Sequence, residues 1–135
     1  MDASVAVQWV AEEESSELSE TLLLRDDLVA PELLQLEVAN ALRRMVWVGD
    51  ISIGQAKAGL DFVRAKVRTS PLTPALLDRA LELSHAMYHP IYDCIYLAVA
   101  EAESGLLITY DQELIDRAKE HGLAALIGSL PLDTP

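Results

Sequence analysis

Cations, cysteines and aromatic residues are all scarce in this chain. Ten Lys and Arg stand against 22 Asp and Glu, for a formal net charge of −12. A protein that coats DNA by neutralising phosphates presents a basic face, so this balance argues against that class. The acidic excess is partly local. Glu12, Glu13, Glu14, Glu17 and Glu20 fall on one stretch of helical spacing, which reads as a solvated face. A single cysteine, Cys94, excludes an intramolecular disulfide and makes a reducing compartment the default. It sits in an apolar run, where a buried structural thiol is expected. No run of about 18 apolar residues is present to span a membrane. Met1-Asp2 leaves no basic segment ahead of an apolar stretch, so no signal peptide is expected. Together these absences point to the cytoplasm.

What is present is a single domain. The 135 residues fit one unit, 1–135, and 51% of them are hydrophobic, enough to build a core without staples. Apolar residues recur at helical spacing from Ala3 to Leu24. Leu28-Val29-Ala30, ended by Pro31, reads as a short strand. Leu33, Leu36, Val38, Ala41, Leu42 and Met45 continue as a helix up to Gly49-Asp50. Ser52 suits the N-cap of a helix from Ile53 to about Lys66. Val67 to Leu72 is a strand candidate. Thr73-Pro74 then opens a helix with Leu76, Leu77, Ala80, Leu81, Leu83 and Met87 inward. After His89-Pro90 comes a very apolar helix, Tyr92 to Glu103, with Gly105 as its C′ residue. Leu106 to Thr109 predicts a buried strand, Asp111 to His121 a helix closed by Gly122, and Leu123 to Leu130 a last strand. Short apolar strands alternating with helices indicate an α/β fold, a parallel sheet flanked by helices.

Ligands of open α/β sheets bind beyond the carboxyl ends of the strands. Four carboxylates stand out on that criterion or by their apolar surroundings. Asp111 follows the Leu106–Tyr110 run directly. Asp93 lies in the first turn of the apolar helix, Asp2 just before the first helix, and Glu37 between Leu36 and Val38. Each alone has a plain structural explanation, because the helix dipole favours carboxylates in a first turn and most Asp and Glu are simply exposed. Gathered together, like charges about 4 Å apart repel by roughly 4 kcal/mol per pair at an effective dielectric of 20. A marginally stable domain tolerates this only if the carboxyls protonate or divalent cations bind. Oxygen donors with no histidine or cysteine among them point to Mg²⁺ or Mn²⁺, as one or two ions, rather than zinc. Such ions suit in-line hydrolysis of a phosphodiester. Asp93 and Asp111 more than about 10 Å apart would exceed the reach of carboxylate–metal bonds and remove that chemistry.

Four segments, Asp2-Ala3-Ser4-Val5, Glu37-Val38-Ala39-Asn40-Ala41-Leu42, Tyr92-Asp93-Cys94-Ile95-Tyr96-Leu97-Ala98 and Leu107-Ile108-Thr109-Tyr110-Asp111-Gln112-Glu113-Leu114, resemble the PIN-domain family, specifically its VapC-type toxins. They keep the family's order and similar separations across nearly the whole chain. The resemblance implies a Rossmann-like α/β/α domain around a parallel sheet. It also implies a Mg²⁺- or Mn²⁺-dependent endoribonuclease, often acting on structured RNA such as transfer RNA. By motif match, Asp2, Glu37, Asp93 and Asp111 become the catalytic, metal-binding carboxylates. Ser4 and Thr109 become hydroxyls beside the site, and Asn40 a weaker match. A homodimer and a cognate VapB-like antitoxin docked over the site are the partners implied.

Other residues carry less. His85 and His89 stand four apart, but Pro90 adjoins them and no Glu-x-x partner follows, so neither these nor His121 is expected to bind metal. Trp9, Trp47, Tyr88, Tyr92 and Tyr96 are expected to pack in the core or an interface rather than stack bases. Arg43, Arg44, Lys57, Arg64, Lys66 and Arg68 lie in the middle third, as scattered solubilising charges or one side facing RNA. Two readings compete with the nuclease. An aspartate-phosphate protein is disfavoured because Asp2-Ala3-Ser4 lacks a second aspartate. A PIN-like scaffold acting by partner binding predicts carboxylates too far apart to share an ion.

Overall fold

The computed structural model describes Ala3, Val5, Ala6, Leu22 and residues 24–128. Of the first expected helix, Ala3, Val5, Ala6 and Leu22 are helical, and Val5, Ala6 and Leu22 are buried in the core. Asp2 and Ser4, together with Trp9 and the acidic run, lie outside the described residues.

Strand β1, Val29–Pro31, pairs in parallel with β2, Arg68–Ser70, in the register Val29–Arg68, Ala30–Thr69, Pro31–Ser70. Between them run helices α1, Leu33–Trp47, and α2, Ile53–Lys66, which pack on each other. Helices α3, Pro74–Met87, and α4, Ile91–Ala102, form the second packed pair. Both α1 and α4 lie against β1. Helix α5, Gln112–Glu120, and a 3₁₀ turn, Ala124–Leu126, follow. The expected strand at Leu106–Thr109 is reduced to one parallel bridge, Leu107 to Ile127, fixed by Leu107 N–H on Leu126 O (2.6 Å) and Gly128 N–H on Leu107 O (3.0 Å). That bridge is also what the expected last strand contributes within the described residues. The parallel α/β architecture thus holds, with short strands between long helices.

Local signals explain the boundaries. Ser52 and Gln55 form a reciprocal capping box, with Ser52 Oγ accepting from Gln55 N–H (3.1 Å) and Gln55 Oε1 from Ser52 N–H (2.8 Å). Thr73 Oγ1 accepts from Leu76 N–H (3.2 Å) ahead of Pro74 in the first turn. Gly49 (φ 85°) and Gly122 (φ 77°) close α1 and α5 in the left-handed conformation glycine enters without steric cost. At the end of α4 the expectation fails by one residue. Ser104 takes the left-handed position (φ 52°), while Gly105 supplies the next N–H to Ala100 O (2.9 Å). The hydrogen-bond pattern needs a left-handed residue at that point, and Ser accepts the strain there.

Burial follows period rather than hydrophobicity alone. Helix α4 is buried continuously from Cys94 to Ala100, as expected for a helix apolar on every side. On α3, Leu76, Ala80, Leu83 and Met87 are inside, but Leu77 and Leu81 are exposed, each one position past a residue of the inner stripe. On α1, Leu34, Val38 and Leu42 are buried at a spacing of four, and Leu36, between two of them in sequence, is 69% exposed. Among the described residues no helix is long and apolar enough to cross a membrane.

Candidate metal centre

Helix α4 carries the centre. Pro90 precedes its first residue, leaving Asp93 in the first turn, where unpaired N–H groups and the helix dipole favour a carboxylate. Opposite, Asp111 is the N-cap of α5. Its Oδ1 accepts the Leu114 N–H (3.2 Å), and its own N–H is held by Thr109 Oγ1 (3.0 Å). Thr109 is buried, so the hydroxyl fixes the backbone just before the cap. Capping occupies only part of Asp111's acceptor capacity, since an ionised carboxylate offers about four lone-pair sites.

These two carboxylates converge. With His89 they form a group whose potential ligand atoms all lie within 4.8 Å of one another. Asp93 and Asp111 are therefore well inside the separation at which one cation can be shared. His89 Nε2 lies 2.7 Å from Asp93 Oδ2. The sequence reading assigned this histidine no metal role because it lacks a ligand motif. Its approach depends on how α3 ends, and residue spacing alone does not report that.

Glu37 is not in this group, but it faces the same helix. Tyr96 Oη donates to Glu37 Oε1 (2.5 Å), across 59 positions of sequence. Tyr96 is one turn beyond Asp93 and almost fully buried, so its ring sets Glu37 from α1 against α4. Asn40, one turn further along α1, is exposed, and its Oδ1 accepts from Arg43 Nε (3.2 Å). Of the aromatic residues expected to pack in a core or interface, Tyr96 alone is in the described core. Trp47, Tyr88 and Tyr92 are 78%, 89% and 61% exposed. Cys94, adjoining Asp93, is buried as expected. Burial, and secondarily the Asp93 charge, push its thiol up to about 11.

A cleft of about 560 Å³ opens elsewhere, between β1 and the Leu106–Ile108 segment, with Arg25, Arg68 and Glu103 on its rim. None of His89, Asp93 and Asp111 lines it. Volume alone supplies no group able to hold and polarise a reactant, whereas the converging carboxylates do, which makes them the candidate centre.

The sequence profile of the PIN domain matches residues 1–120. The chain belongs to the PIN-domain family. It is 34% identical over 116 residues to Ribonuclease VapC1 of Mycobacterium tuberculosis, in both strain CDC 1551 / Oshkosh and strain ATCC 25618 / H37Rv. That match covers 84% of this chain and 86% of the relative. Among solved structures, PAE2754 from Pyrobaculum aerophilum superposes with a TM-score of 0.69 at 26% identity, covering 86% of this chain and 76% of that one. The PIN fold thus accounts for the parallel, helix-flanked architecture, and the similarity to the VapC ribonucleases extends over most of the chain.

Proposed function

We propose that this PIN domain is a Mg²⁺- or Mn²⁺-dependent endoribonuclease and the toxin half of a type II toxin–antitoxin pair. The observation that carries the reading is the convergence of Asp93 and Asp111, with His89, to within 4.8 Å. The donor set fits the ion. Two carboxylates from different helices meet at partly exposed positions, with no thiolate among them, which suits a hard divalent cation. Asp93 and Asp111 hold it, with Glu37 and Asp2 completing the set and Ser4 beside it. When bound, the ion supplies Lewis acidity and charge neutralisation for in-line hydrolysis of a phosphodiester.

The chain's own residues do the positioning. Thr109 fixes the backbone of Asp111, the α5 cap orients its carboxylate, and Tyr96 orients Glu37. For an RNA backbone, the available cations are fewer than the sequence suggested. Arg64 is bridged to Asp61 and Arg68 to Glu103, while Lys66 donates to the Arg25 carbonyl. Arg44 and Lys57 are exposed, and Arg43 stacks over Trp47 at 4.5 Å. In this reading phosphates are met by Arg43 and Arg44 on the helix that carries Glu37, and by Lys57 on its neighbour. The ion offsets the acidic remainder. Structured RNA such as transfer RNA is the substrate class, a VapB-like antitoxin and a second copy of the chain are the partners, and the cytoplasm is the compartment. Similarity to VapC1 over most of the chain supports this reading.

The test is cleavage of total bacterial RNA by purified, partner-free protein in Mg²⁺, Mn²⁺ or EDTA, beside Asp93→Asn. Cutting that needs metal and disappears with Asp93→Asn is expected. Folded wild-type protein that cuts nothing in either metal would refute the proposal in favour of a scaffold.

A further inference from the structure

His89 is held with unusual constraint. Helix α3 ends on Tyr88 in the left-handed conformation (φ 52°, ψ 50°), which strains a non-glycine residue. That turn carries the next residue back over the helix end. His89 N–H then reaches Ser84 O (3.2 Å). The His89 carbonyl accepts from Ser84 Oγ (2.5 Å) and from the Cys94 thiol (3.9 Å). The backbone is therefore tied to α3 and α4 at once, and the ring is buried, with 3% of the side chain exposed.

The two ring nitrogens differ. Nε2 meets Asp93 Oδ2 at 2.7 Å, and an ionised carboxylate only accepts, so the proton is on Nε2. Nδ1 is buried and has no hydrogen-bond partner. A buried polar atom without a partner loses its hydration and gains nothing in exchange. If the position served packing alone, an apolar side chain would avoid that cost. Backbone strain at Tyr88 adjoins an orphaned nitrogen on His89, whose other nitrogen touches a candidate ligand, the pattern expected where function is maintained against stability.

We propose that His89 is a positioning residue: its Nε2–H holds Oδ2 of Asp93 and leaves Oδ1 for a divalent cation shared with Asp111. It acts through the carboxylate and does not itself ligate the ion. The Nε2 proton lies on the atom a metal would need, and it is engaged by Asp93. This rests on the reading that Asp93 and Asp111 bind Mg²⁺ or Mn²⁺, and it adds a residue to which that reading gives no role.

The experiment is a Mn²⁺ titration of the full chain followed by electron paramagnetic resonance, for wild type, Asp93→Asn, His89→Leu and His89→Gln, with urea midpoints beside each. Gln places an amide N–H near the position of Nε2, and Leu fills volume without a donor. Should His89→Leu not fold, the more pliant His89→Met replaces it. Removing a group that orients a metal ligand typically costs about 10–100-fold in affinity, so that loss is expected for the apolar variant. His89→Gln is expected to recover most of it, with no nitrogen coordinated to Mn²⁺ in the pulsed spectrum of wild type. Apolar and Gln variants that weaken binding equally, an apolar variant that binds as wild type does, or a coordinated histidine nitrogen would overturn the inference. Wild type that binds no Mn²⁺, or Asp93→Asn that binds as tightly, instead overturns the reading beneath it.

Discussion

Asp111 does two things that a single substitution can separate. It caps α5 through Oδ1, and it brings a second negative charge to within 4.8 Å of the Asp93 and His89 ligand atoms. At that outer limit of 4.8 Å, two unit charges repel by about 3.5 kcal/mol at an effective dielectric of 20. Asp93 has 32% of its side chain exposed, so solvent screening leaves about 1–2 kcal/mol. Asparagine caps a helix about as well as aspartate. Asp111→Asn therefore keeps the cap and removes the repulsion, and it should raise stability in EDTA by about 1–2 kcal/mol. Asp111→Ala also loses the cap, worth about 1 kcal/mol, and should fall near wild type. With Mn²⁺ at about 100 times its dissociation constant, wild type gains about 2.7 kcal/mol and the Asn variant gains little. The order of stability then reverses between EDTA and Mn²⁺. Urea unfolding followed by circular dichroism measures each variant in EDTA and in Mn²⁺. If Asp111→Asn is less stable than wild type in EDTA, or if Mn²⁺ stabilises both equally, the two carboxylates do not share a cation and the reasoning fails.

Tyr88→Gly should stabilise the fold by about 0.5–1 kcal/mol, because relief of left-handed strain exceeds the entropic cost of glycine and the exposed ring packs on nothing that would be lost; the urea midpoint reports it. Arg79 holds Glu101 in two parallel hydrogen bonds (2.7 and 3.0 Å) that tie α3 to α4, and a double-mutant cycle at neutral pH should give a coupling of about 0.2–1 kcal/mol. The guanidinium holds the Glu101 carboxyl below its usual range. The coupling should therefore be complete above the ordinary glutamate value and vanish as pH falls through the lowered one, as repeating the cycle across acid pH would show. Cys94, buried and raised to about 11, should resist iodoacetamide at pH 8 in the native protein and alkylate fully in urea, with mass spectrometry as the readout.

The elements that the sequence predicted well are those with a local chemical signal. Ser52 marked the start of α2, Thr73-Pro74 that of α3 and Gly122 the end of α5, because caps and left-handed turns depend on residues within one helical turn. Asp93 was legible as a first-turn carboxylate and Asp111 as the carboxylate that directly follows an apolar run, and the family motif supplied the reason to connect them. What was not legible depended on other elements. Leu36 and Leu81 have core chemistry but face water, since the rotation of a helix about its axis is set by what it packs against. The run at Leu106–Thr109 has strand composition, but within the described residues only Leu107 bridges. The contact of His89 with Asp93 was not legible, because a non-glycine left-handed turn at Tyr88, invisible to propensity, brings the ring there.

The site draws its parts from positions far apart in the chain, as the Tyr96–Glu37 bond across 59 residues illustrates. Chains are made from the amino end at about 5–20 residues per second, so these parts reach the growing molecule in order. Among the described residues of the proposed site, Glu37 arrives first, His89 and Asp93 several seconds later, and Asp111 last. Until Asp111 has emerged and capped α5, Asp93 has no second carboxylate from across the gap with which to share an ion. Under the proposed function, a chain cut short before α5 would carry Glu37, His89 and Asp93 and still lack one of the two carboxylates that would share the ion.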